Sequence, residues 1–121
     1  TVLYVNKLLN GLENLDWQGL TLGARYENFV PTQSMPGVAR IFNAGCGCAY
    51  AVNSTYYADL LSAYRQGIER DAGLDRSWAA VMNRGDIWLG FSPGFAFLHH
   101  HPDPVSGEWI DCTHLFFRKH R

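Results

Sequence analysis

Apolar residues near the N-terminus recur at steps of three and four: Val2, Val5, Leu8, Leu9, Leu12 and Leu15. That period lays one apolar stripe along an amphipathic helix of about four turns. Two β-branched residues in its first turn leave a short opening strand as the alternative, and Gly11 costs the helix roughly 1 kcal/mol relative to alanine. Asp16 is placed to cap a second, shorter helical segment reaching Glu27. Leu20, Leu22 and Tyr26 form its apolar side, and Gly19 and Gly23 make it irregular. Phe29, Val30 and Pro31 then read as a short strand, a Pro/Gly-rich turn follows, and residues 38–43 read as another strand with a turn over 43–47. The clearest helix starts after Asn53 or Ser54, presents Tyr57, Leu60, Leu61, Tyr64 and Ile68 on one face, and stops at Gly73. Residues 75–84 are ambiguous, with Trp78, Ala80 and Met82 alternating as in a strand.

The last third of the chain is a hairpin pattern. Two apolar and aromatic runs, 86–101 and 108–118, flank a turn built from Pro102, Asp103, Pro104, Ser106 and Gly107. Helices first, then a short strand, a helix and a run of antiparallel strands predict a single α+β domain spanning 1–121. In that layout a curved antiparallel sheet wraps around the N-terminal helices.

Composition narrows the function classes. Hydrophobic residues make up 47% and charged residues 17% of 121, enough to build a core without staples. The net charge of −1 with mixed signs lacks the basic footprint of a nucleic-acid binder. No apolar run approaches the ~20 residues of a membrane span, and the N-terminus lacks a signal peptide's layout. A cytoplasmic protein with no membrane partner is expected. Three cysteines, two of them in a Cys46-Gly47-Cys48 pair, do not resemble a secreted disulfide framework.

Two stretches resemble the SnoaL-like proteins, which share the cystatin-like cone of nuclear transport factor two, ketosteroid isomerase and scytalone dehydratase. One is Asp16-Trp17 with Leu20, followed at Phe29-Val30-Pro31 by a short strand. The other is Gly85-Asp86-Ile87-Trp88 and then the run from Glu108 to Lys119, which is similar to the family's T-x-x-F-R-K strand. The family's final Gly-x-Trp strand has no counterpart here. The resemblance implies a conical sheet around a long helix, with a mostly apolar pocket at one end. Members include isomerases, cyclases and dehydratases as well as binding and dimerisation modules, so fold alone does not choose among them.

Candidate chemistry concentrates in the hairpin, which holds four of the five histidines. In a strand His99 and His101 share a face with Phe95 and Phe97, while Trp109 and Asp111 share a face of the neighbouring strand. A carboxylate holding one imidazole nitrogen leaves the other to move a proton near neutral pH. His99 as base or acid, Asp111 as its orienting partner and Tyr26 as hydrogen-bond donor to a developing oxyanion make the expected catalytic set. A one-residue slip in register would turn Asp111 to the other face. Trp17, Trp88, Phe95, Phe97, His101 and Trp109 are the candidates to line a pocket for a small apolar or aromatic molecule. The resulting expectation is an isomerase, cyclase or dehydratase working by proton transfer without a cofactor. The alternative is a non-catalytic ligand-binding or dimerisation module of the same fold, pairing as a homodimer through its sheet.

Three further readings stand beside these, two on the hairpin residues and one on Cys48. His99, His101 and Asp111 or Asp103 could supply three metal ligands with an open position. The pattern faintly resembles the His-x-His-Pro of zinc-dependent isopeptidases, but Ser106 follows too early, and no metal is expected. Leu98-His99-His100 also resembles the start of a His-Asn-His nuclease finger, without the helix that should follow. Finally, Cys48 ahead of the helix from Ser54 could be a thiolate nucleophile favoured by the helix dipole, with a hairpin histidine as base, as in a cysteine hydrolase.

Overall fold

The computed structural model describes residues 2–13, 15–92, 94 and 101–110. The N-terminal stripe forms α1, Val2–Leu12, as its period predicts. The expected second helix does not form. Gly19–Pro31 is instead a long strand, β1, and Val38–Val52 is its antiparallel partner, β2. The physical reason lies in the same residues. Leu20, Ala24 and Tyr26 recur at even steps, and Gly19 and Gly23, which weaken a helix, are tolerated in a bent strand. The turn expected over 43–47 lies inside β2, where register shifts near Gly23, Arg25 and Asn28 bend the hairpin without breaking it.

The Pro/Gly-rich segment does turn the chain. Thr32 Oγ1 donates toward the carbonyls of Met35 and Val38, each at 2.9 Å. A short 3-10 turn, Ser54–Tyr56, leads into α2, Tyr57–Glu69, and then α3, Leu74–Asn83. The strand alternation of Trp78, Ala80 and Met82 is overridden by a helical face of Ser77, Trp78, Val81 and Met82, all buried, while Ala80 is exposed. The core face expected for α2 is also only partly inward. Leu60 is buried and Tyr64 half-buried, but Tyr57, Leu61 and Ile68 are exposed.

Trp88–Phe91, β3, closes the sheet. Trp88–Gly90 runs parallel to Gly19–Thr21 of β1, and Trp88–Phe91 runs antiparallel to Val38–Ile41 of β2. Each of the three strands is therefore hydrogen-bonded to the other two, in a small curved ring. The fold is α+β with a curved sheet. The sheet is mixed, because β3 reaches β1 by a crossover through α2 and α3, and a crossover permits parallel pairing. Successive residues of β3 enter different cores. Trp88 joins Tyr26, Ile41, Tyr56, Leu60, Trp78 and Met82, whereas Leu89 and Phe91 join Leu8, Leu12, Leu20 and Val38. The helices of the middle of the chain thus pack on one set of strand side chains and α1 on the other. This differs from a sheet wrapped around N-terminal helices alone.

The predicted hairpin turn is present between β4, His101–Pro102, and β5, Trp109–Ile110. Asp103 accepts from the amides of Val105 (through Oδ1) and Gly107 (through its carbonyl), both at 2.8 Å, and its own amide donates to Glu108 O at 2.7 Å. Gly107 at φ 75° supplies the left-handed step. No helix among the described residues is long and apolar enough to cross a membrane.

A half-buried carboxylate ties α3's end to the core. Asp86 Oδ2 accepts from Tyr56 Oη at 2.6 Å and from Arg84 Nε and Nη2 at 2.9 and 2.7 Å. Burial pushes this carboxyl up, but the bonds from Arg84 and Tyr56 together outweigh it, and it settles below its ordinary value of 3.8. Burial and then the bond to Asp86 push the Tyr56 phenol up to about 12 from 10.0. A depressed carboxyl stabilises the fold above its unfolded value, and that contribution drains away as pH falls through the folded one. A raised phenol works at the other end: its contribution is complete below pH 10 and is lost as pH climbs toward 12. We expect Asp86→Asn to cost about 1–3 kcal/mol at neutral pH and to flatten the acid limb of stability against pH in urea titrations. An acid limb identical to that of the parent would show that Asp86 does not carry it.

Candidate functional site

Among the described residues, a concave site with apolar walls lies between α1 and the joined ends of β1 and β2. Leu9 and Leu12 come from α1 and Glu13 follows it directly, where the Leu15 amide donates to Leu12 O at 3.0 Å and turns the chain back. Leu15, Trp17 and Leu20 follow, and Ala51 and Asn53 close the far side. The crevice holds about 390 Å³. Leu12 and Leu20 are buried in its floor, Trp17 is half-buried in its wall, and Leu9 and Glu13 stand at the exposed rim.

The wall is held by β2's end. The Asn53 amide donates to Gln18 O at 3.0 Å, and Asn53 Nδ2 donates to Trp17 O at 2.6 Å. Gln18 is fastened on its other side, accepting from the Ile87 amide through Oε1 at 2.7 Å and donating its own amide to Ile87 O at 2.8 Å. Trp17 is thus positioned by backbone bonds on both flanks, although it sits in a loop. The result is an indole wall, a leucine floor and two polar groups, the Asn53 amide and the Glu13 carboxylate. That composition suits a small flat molecule with one hydrogen-bonding end.

Of the residues expected from the sequence, Trp17 is in this crevice. Tyr26 is 3% exposed, and its hydroxyl donates to Phe91 O at 2.8 Å and shares a 2.9 Å bond with Thr21 Oγ1. Trp88 is fully buried, its indole N–H directed to Tyr56 Oη at 3.3 Å. Tyr26 and Trp88 therefore meet in the main core, on the other side of the strands from Trp17. Trp109 is 74% exposed on the hairpin. His101 belongs to β4, but its side chain is outside the described residues. His99, Phe95, Phe97 and Asp111 also lie outside the described residues, so the expected His99–Asp111 couple has no geometry here. Cys48 lies in the backbone of β2, with the Ser54–Tyr56 turn between it and α2. The helix-start position that would favour its thiolate is not formed. Among the described residues no group of three or more His, Cys, Asp or Glu side chains is placed to hold a metal ion.

Leu9, Leu12, Leu20, Glu13 and Asn53 were not singled out as site residues from the sequence. Asn53 reads there as a helix cap, yet it makes no side-chain capping bond. Its role becomes visible only when β2 ends beside Trp17. No protein-family model matches the chain, and neither a curated protein nor a solved structure does.

Proposed function

We propose that this chain is a ligand-binding module that takes a small apolar or aromatic molecule against Trp17. The observation that carries the reading is the crevice of about 390 Å³ walled by Trp17, Leu12 and Leu20, with Asn53 and Glu13 as its polar groups. Its size and mixture fall in the range of small-molecule sites. Tyr26 and Trp88, two of the residues expected at a pocket, are packed into the main core, each 3% exposed or less, which leaves Trp17 as the expected ring that a ligand in this crevice would meet. The curved sheet, with a helix laid against it, supports keeping the chain beside the SnoaL-like cones as a fold proposal. The proton-transfer version of that proposal uses His99 and Asp111, and it would need Tyr26 to give up its bond to the Phe91 carbonyl before serving an oxyanion.

The test is a fluorescence titration with anilinonaphthalenesulfonate, a dye with two apolar aromatic ring systems and one anionic sulfonate. Trp17→Ala should weaken binding roughly tenfold or more, the equivalent of one lost ring contact. Trp109→Ala, which removes an exposed ring elsewhere, should leave it unchanged. Equal affinity in the Trp17 variant and the parent would remove the crevice from consideration.

A further inference from the structure

One cluster takes no part in the crevice. Tyr50 on β2 and Tyr64 on α2 meet head to head, Oη to Oη at 3.1 Å, across 14 residues of sequence. Tyr50 is 37% exposed and Tyr64 is half-buried against the main core. Behind Tyr50 lie Trp78 at 5.5 Å and Trp88 at 5.8 Å between ring centroids, and the two indoles meet edge to face at 5.2 Å. Tyr56 reaches Trp88 at 6.1 Å. Trp78, Trp88 and Tyr56 are each 3% exposed or less, so Tyr50 is the ring through which this cluster reaches solvent.

We propose that Tyr50 and Tyr64 are an oxidative modification site that closes into an intramolecular dityrosine cross-link. Each phenol gives up one hydrogen atom to hydrogen peroxide through a peroxidase, and the peroxide leaves as two waters. The two phenoxyl radicals join by a carbon–carbon bond between ring carbons ortho to the oxygens. The protons on those carbons then return to the oxygens and restore both phenols. In the product the two hydroxyls flank the new bond as neighbours, and the hydrogen-bonded pair already holds its oxygens side by side. The edge-to-face indoles add to this, because an electron vacancy arising on either buried tryptophan has Tyr50 as its neighbour on the solvent side. The link would join β2 to α2 and limit the freedom of the unfolded chain between them, as other cross-links do.

The experiment treats the folded protein with horseradish peroxidase and hydrogen peroxide, after its accessible thiols have been capped with iodoacetamide. The parent should become a monomer lighter by two hydrogens, with the blue fluorescence of dityrosine and a linked peptide pair containing residues 50 and 64. Its melting temperature should rise. Tyr50→Phe and Tyr64→Phe keep the rings and should each lose the product, whereas Tyr57→Phe, which removes an exposed phenol nearby on α2, should retain it. A parent without dityrosine, a link that persists in Tyr64→Phe, or dityrosine found only between chains would each overturn the proposal.

Discussion

Replacing Trp88 with alanine should cost about 3–5 kcal/mol, read as a fall in the urea midpoint with little change in slope. The ring is fully buried and stands at right angles to Trp78 and nearly so to Tyr56, the arrangement in which aromatic edges meet faces. Its backbone joins β3 to β1 through Gly19 and to β2 through Ile41. Alanine leaves those ladder bonds in place and removes the ring alone. The loss therefore reports the cavity and the lost contacts, including the indole bond to Tyr56. A cost under about 1 kcal/mol would mean that the surrounding rings collapse into the space as well as they fill it now.

The second large effect comes from the residue opposite. A Cβ added at Gly19 would overlap the Cδ2, Cε3 and Cζ3 atoms of Trp88. Those atoms belong to a rigid ring packed among other rings and cannot swing away as the end of a flexible side chain would. Gly19→Ala should therefore cost about 1–3 kcal/mol by overpacking. In the Trp88→Ala background the same change meets open space. It should then cost nothing or gain a few tenths of a kcal/mol from the stiffer unfolded chain, up to about 1. The signature is non-additivity: the double variant should be no less stable than Trp88→Ala alone. Additive losses in that cycle would show that Gly19 is required for its backbone and not for the room it leaves.

What could be read along the chain was local. α1 followed from the spacing of Leu8 and Leu12, and the 101–110 turn followed from Asp103 and Gly107, whose bonds to each other and to Val105 and Glu108 are local. The misreadings occurred where distant partners decide. Leu20 and Tyr26 suit an irregular helix until β2 and β3 are placed beside them, and Ser77, Trp78, Val81 and Met82 reveal a helical face only when β2 lies against it. The same holds for chemistry. Tyr26 carries a useful hydroxyl in any sequence, but its acceptor is the carbonyl of Phe91, remote along the chain. Trp17 could be recognised as a ring available for binding, whereas the leucines and Asn53 around it come together through the meeting of α1 with the ends of two strands.

The ring of three strands also constrains how the protein comes off the ribosome. β1 and β2 are neighbours in sequence and can pair as soon as both have emerged, but the bonds that join their opposite corners all pass through Trp88–Phe91. Until that segment is outside the exit tunnel, the hairpin carries open edges and the surfaces of Leu20, Val38 and Ile41 have no β3 side chains to meet. Such long-range closures are slow relative to local ones, and exposed strand edges are where nascent chains associate wrongly. Synthesis pausing shortly before β3 would therefore prolong an aggregation-prone interval, whereas pausing after it would leave a chain that already holds the described residues of both cores.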